Sequence, residues 1–167
     1  FGSSTTLERI TLPGTLATVG ECAFRHCSKL VRIAFTRPHT LIGAEAFFAC
    51  MSLLAVVLPA ALQRLPKKVF AYCKKLTNLV LPEGLLMIMD AALQCTGLVE
   101  IAIPASCFYL GDDCFKSCTK LTRLILPQTL KALSRGMCYG CKNLRDVALP
   151  SMLAEVTQVA FAFAGLR

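Results

Sequence analysis

The sequence predicts an α/β repeat solenoid, a stack of coils of 22 to 23 residues, each giving one short parallel strand and one short helical turn. Three observations carry this prediction. An apolar-x-x-apolar-x-apolar-Pro element returns along the whole chain, its leading leucines fall at 7, 30, 53, 76, 98, 121, 144 and 166, and the residues between the elements repeat in register as well. Residues 1–167 therefore read as a single solenoid of about seven repeats.

The strand comes first in each unit. Its copies are Leu7-Ile10-Leu12-Pro13, Leu53-Val56-Leu58-Pro59, Leu76-Leu79-Leu81-Pro82, Leu98-Ile101-Ile103-Pro104, Leu121-Leu124-Leu126-Pro127 and Leu144-Val147-Leu149-Pro150, with Leu30-Ile33-Phe35 followed by Thr36 as the degenerate one. Alternating inward residues closed by a proline, which has no N–H to continue a ladder, predict a short strand and its end.

Six residues past the proline position stands an apolar column, Val19, Ile42, Leu65, Ile88, Leu110, Leu133 and Val156. Five further stands a larger one, Phe24, Phe47, Phe70, Leu93, Phe115, Cys138 and Phe161, followed by Cys27, Cys50, Cys73, Cys95, Cys118, Cys141 and Ala164. Apolar residues at three-residue spacing predict one tight helical turn opposite the strand. A coil of this size has no core of its own, so stacked neighbours supply one and the strands align into one parallel sheet.

The segments Val19-Gly20-Glu21-Cys22-Ala23-Phe24-Arg25-His26-Cys27 and Ile42-Gly43-Ala44-Glu45-Ala46-Phe47-Phe48-Ala49-Cys50, joined to the Leu-x-x-Ile-x-Leu-Pro element, resemble the BspA-like class of leucine-rich repeats. The resemblance covers nearly the whole chain. It implies a curved, right-handed leucine-rich-repeat stack and adhesion or surface-recognition roles, and it has no catalytic residues to carry over. Departures are local: Thr36 and His39 in the second unit, Pro66 and Met89 at the glycine position, and a one-residue deletion placed between Leu93 and Cys95.

Composition sets further bounds. Apolar residues make up 55% of the chain and mean hydropathy is +0.60, yet no transmembrane segment is expected. The longest uncharged apolar stretch, around 49–62, is broken by Ser52 and Pro59 and is shorter than the roughly 20 residues a spanning helix needs. A membrane-associated assembly stays open. The net charge of +8 biases the chain toward acidic partners. Neither terminal unit has the polar outer face of a cap, which predicts a segment of a longer chain or a subunit of an assembly.

Ten cysteines would suit a disulfide scaffold, but six share one column. Rungs about 4.8 Å apart fit buried thiols packed as a ladder better than bridged pairs. Cys114-x3-Cys118 with Cys138-x2-Cys141 has the spacing of a four-thiolate zinc site. The repeat already accounts for each of those positions, so no metal or other cofactor is expected. Reduced thiols point to an intracellular or organellar compartment, while the family resemblance allows the cell surface. His26 and His39 lie on different coils with no carboxylate at dyad spacing, and no phosphate-binding glycine loop is present, so no enzyme is predicted. His39 replaces an inward leucine and reads as a loop-exposed or locally satisfied residue.

Three surfaces could take a partner. On the sheet face, Val57, Val80 and Ile125 join alanines in an apolar track bordered by Arg9, Arg32 and Arg123. After the strand, Leu86 and Met87 lie beside Phe108 and Tyr109 at solvent-facing positions. Lys29, Lys75 and Lys120, with Lys74 and Lys142, form a basic rim. The expected function is a non-catalytic protein–protein interaction module, either for adhesion and recognition or as a scaffold subunit of a large complex. The alternative is polyanion or acidic-surface binding through the lysine rim. Aromatic platforms are missing between these lysines, which argues against nucleic acid.

Overall fold

The structure, a computed structural model, describes residues 1–166. Coils one to seven are counted from Leu7, Leu30, Leu53, Leu76, Leu98, Leu121 and Leu144. Twelve short strands occur in chain order among the described residues: β1 Thr18–Val19, β2 Arg32–Ala34, β3 Leu41–Ile42, β4 Ala55–Val57, β5 Arg64–Leu65, β6 Met87–Ile88, β7 Glu100–Ala102, β8 Tyr109–Leu110, β9 Arg123–Ile125, β10 Ala132–Leu133, β11 Asp146–Ala148 and β12 Glu155–Val156.

The strand expected from the proline-ended element is present. Its middle residue points inward in β2, β4, β7 and β9 (Ile33, Val56, Ile101, Leu124) while the flanking residues are exposed. These strands form a front face in parallel register, Arg32 opposite Ala55 and Glu100 opposite Arg123 opposite Asp146. A parallel bridge between Arg9 and Arg32 brings coil one alongside. A second, lateral face is built by the two-residue strands that carry the Val19-to-Val156 column. The repeat period held no signal for them, because a strand with one inward residue has no alternation to show.

Two expectations are corrected. No helix is present among the described residues; the Ala/Phe/Cys segment is a pair of successive turns. In coil one, Ala23 N donates to Gly20 O and Cys27 N to Phe24 O, whereas the N–H groups of Cys22, Phe24 and His26 reach the carbonyls of Ala44, Ala46 and Phe48 on the next coil. A helix needs its N–H groups for bonds within the segment; here every second one is committed to the neighbour. The third residue of each turn is left-handed, as at Cys22 and His26 (φ 55° and 58°), and only coil six uses glycine there, Gly136 and Gly140.

The single continuous sheet is corrected as well. The front ladder divides into β2–β4 and β7–β9–β11, with residues 78–80 of coil four in neither, and the lateral face divides into β1–β3, β5–β6–β8 and β10–β12. The front interruption coincides with a shortened entry turn on coil five. Buried Thr96, not Cys95, stands in the cysteine column, its Oγ1 3.2 Å from Cys118 Sγ. The deletion therefore falls at Gly97, where a Cβ would sit 2.3 Å from the Lys74 carbonyl oxygen.

The core runs between the two faces. Phe24, Phe47 and Phe70 stack with ring centroids 5.3 and 5.5 Å apart, and Leu93, Phe115 and Cys138 continue the column fully buried. Beside it the thiols of Cys50, Cys73, Cys118 and Cys141 donate to the carbonyls of Phe24, Phe47, Leu93 and Phe115 on the preceding coil, at 3.1 to 3.2 Å. The ladder is thus bonded through carbonyls of the phenylalanine column, which explains why a small residue with a weak donor recurs there.

Candidate interaction surfaces

The front face carries one outward residue of the apolar track on each of coils two to seven. Val57 ends β4, Val80 lies in the interrupted coil and Ile125 ends β9, exposed by 59%, 75% and 43%. Ala34, Ala102 and Ala148 fill the other coils and are exposed too. Where the ladder is interrupted, a depression of about 480 Å³ opens around Val80, Ala102 and Ile125, with Glu83, Glu100 and Arg123 at its margin. Arg123 Nε lies 3.0 Å from Asp146 Oδ2, and Arg9 and Arg32 are exposed beyond. Such an exposed pair adds little stability, but it marks one flank of the track with a charge couple.

The lateral face gathers the second group differently from expectation. Met87 pairs with Tyr109 in parallel register, and Phe108 N donates to Leu86 O at 3.0 Å. Phe108 and Tyr109 are exposed, but Leu86 and Met87 are half-buried, because β6 lies between β5 and β8. Partial burial, then the carboxylates of Asp90 and Asp112, push the Tyr109 phenol up. Leu41, 66% exposed on β3, belongs to this face and was not singled out by the sequence reading. Its signal was available, since Leu41 occupies the column of Arg64, Met87 and Tyr109.

All five rim lysines, Lys29, Lys74, Lys75, Lys120 and Lys142, are exposed at the turns that lead into the front strands. The ion pairs to lysine are formed by Lys67, Lys68 and Lys116 with Asp90, Glu45 and Asp113.

The chemistry-bearing side chains are accounted for by packing. Arg25 sits over the Phe48 ring at 4.9 Å, and His26 meets the same ring edge-on at 5.5 Å. His39 is exposed, and Thr40 takes the buried place expected for it. All ten cysteines are free thiols. Burial, followed by neighbouring thiols, raises Cys50 and Cys118 to about 12 and Cys73 and Cys114 upward in the same direction. Among the described residues no cluster of three or more His, Cys, Asp or Glu side chains is arranged to hold a metal. No helix among them is long and apolar enough to cross a membrane.

Residues 1–122 and 40–167 match the BspA type leucine rich repeat region, in six copies. This chain belongs to that family. Among solved structures, the leucine rich repeat protein of T. pallidum is 30% identical with a TM-score of 0.80, over 87% of this chain and 71% of that one. A leucine-rich repeat protein from Bacteroides ovatus, 24% identical, superposes with a TM-score of 0.79 over 90% of this chain. This leucine-rich-repeat chain spans 45% of the length of that protein. A leucine rich cell surface protein from Faecalibacterium prausnitzii shares the fold at 17% identity with a TM-score of 0.51, over 90% of this chain and 69% of that one. No curated protein matches. Leucine-rich repeats of this kind generally serve protein–protein interaction or surface recognition.

Proposed function

We propose that this chain is a non-catalytic interaction module that binds a protein partner through its front face, for adhesion and recognition or as a scaffold subunit of a larger assembly. One observation supports the reading above the others. The outward strand column is apolar on six successive coils, from Ala34 to Ala148, and stays exposed, while from Ala34 to Ile125 its neighbours on either side along the chain are buried. A continuous apolar row of this length, flanked by charge, is what an interface core with a polar rim requires.

The test is a photo-crosslinking residue at position 80 or 125, used in the source cell, followed by binding measurements on the partner it captures. Val80→Asp with Ile125→Asp should abolish that binding at unchanged circular dichroism. If binding instead survives the double variant, falls steeply with salt and is lost on neutralising Lys29, Lys75 and Lys120, the polyanion reading replaces this one.

A further inference from the structure

We propose that a lateral groove across coils two to four binds an extended acidic peptide bearing apolar side chains, at a site separate from the front-face track. Two departures from the repeat create the groove. The lateral strands of adjacent coils are joined by an N–H one residue past the inward position: Gly43 N donates to Val19 O, Met89 N to Leu65 O and Gly111 N to Ile88 O. In coil three that residue is Pro66, which has no N–H to offer Ile42 O. Among the described residues β3 and β5 do not pair.

The second departure lies in coil two. Other coils bury Leu62, Leu85 or Leu130 in a turn closed onto the preceding proline, whereas here the turn closes one residue later, Thr40 N donating to Arg37 O at 3.4 Å. Thr40 fills the leucine's place with a smaller side chain, its hydroxyl donating to Leu16 O at 2.9 Å. Together these changes leave a groove of about 800 Å³ with Leu41, Leu62, Met87 and Met89 among its lining.

Charge selects the occupant. The titratable residues lining the groove are His39, Arg64 and Lys67, and no carboxylate lines it. Arg64 is in no ion pair among the described residues. The nearby acids are already engaged, Asp90 by Lys67 at 3.9 Å and Glu45 by Arg25 and Lys68 at 2.9 and 3.6 Å. The apolar floor of the groove takes the apolar side chains of such a peptide, and Arg64 takes its carboxylates.

The experiment titrates the 167-residue chain, labelled at its methionine methyl groups, with a fluorescein-labelled peptide of alternating glutamate and leucine. The Met87 and Met89 resonances should move while those of Met137 and Met152 stay. Polarisation should show affinity falling about ten-fold or more on Arg64→Glu, and by a similar factor when lysine replaces the glutamates or serine the leucines. Pro66→Ala, which restores the missing donor, should weaken binding without reversing any charge. Equal binding of the lysine peptide, an unaffected Arg64→Glu, or shifts confined to Met152 would overturn the proposal. Val80→Asp separates the two readings: it should leave the peptide bound, and if it alone releases the peptide, the groove fails while the front-face function stands.

Discussion

Replacing Cys50 and Cys118 by alanine should flatten the loss of stability that the natural chain suffers in alkali. Burial first, then the neighbouring Cys27 for one and Cys141 for the other, pushes these thiols from 9.0 to about 12. The folded state therefore favours the neutral thiol. Its stabilising effect is complete below the unfolded value of 9.0 and is lost as pH rises through the window up to about 12. Within that window each thiol costs about 1.4 kcal/mol per pH unit, so at about pH 10 the pair removes about 3 kcal/mol. Cys73 and Cys114 are raised in the same direction and add to the loss. Against a total stability of about 5–15 kcal/mol, the effect is large enough to read directly. The assay is urea unfolding under reducing conditions, followed by far-ultraviolet circular dichroism at about pH 8 and about pH 10. Alanine lowers stability at both values through lost packing, so the difference between them carries the result. Parallel losses in the natural chain and the double variant would refute the claim that the cysteine column is a buried, neutral thiol ladder.

Phe47→Ala removes a fully buried ring stacked between Phe24 and Phe70 and should cost about 3–5 kcal/mol in the same assay. Gly140→Ala keeps a left-handed residue (φ 71°) with only ordinary contacts around the new methyl group, so its cost should be the backbone term alone, about 1–2 kcal/mol. Gly97→Ala drives a methyl group to 2.3 Å from the Lys74 carbonyl oxygen; a thermal midpoint unchanged by this substitution would contradict the close approach of the turn at Gly97 to the turn at Lys74. Under native conditions a thiol reagent should react quickly with Cys22 and Cys95, the two half-buried cysteines, and slowly with the rest, as counted by peptide mass mapping.

The period of the leucines and prolines made the stacked coils, the inward column of the front strands and the phenylalanine and cysteine columns legible, because each repeats with one residue type at one spacing. Val57, Val80 and Ile125 could be named as one row for the same reason. The turn segment was misread as helical because three-residue apolar spacing suits a helical turn and a pair of successive turns equally. What separates the two is where the alternate N–H groups go, and those of Cys22, Phe24 and His26 go to a different coil. The half-burial of Leu86 and Met87 was likewise hidden, since it depends on the lateral strands lying beside them.

By itself the sequence determined the period, most members of the buried columns and the family, all of which are local or periodic properties of residue type. Only the tertiary structure decided where the ladders stop. Pro66, Thr40 and Gly97 were visible as irregularities, but their consequence lies in the bonds that a neighbouring coil can no longer make or must make closer. A missing N–H on coil three opens coil two, and a shortened turn on coil five coincides with the interruption at coil four. These effects act about 23 positions along the chain and one rung across the stack.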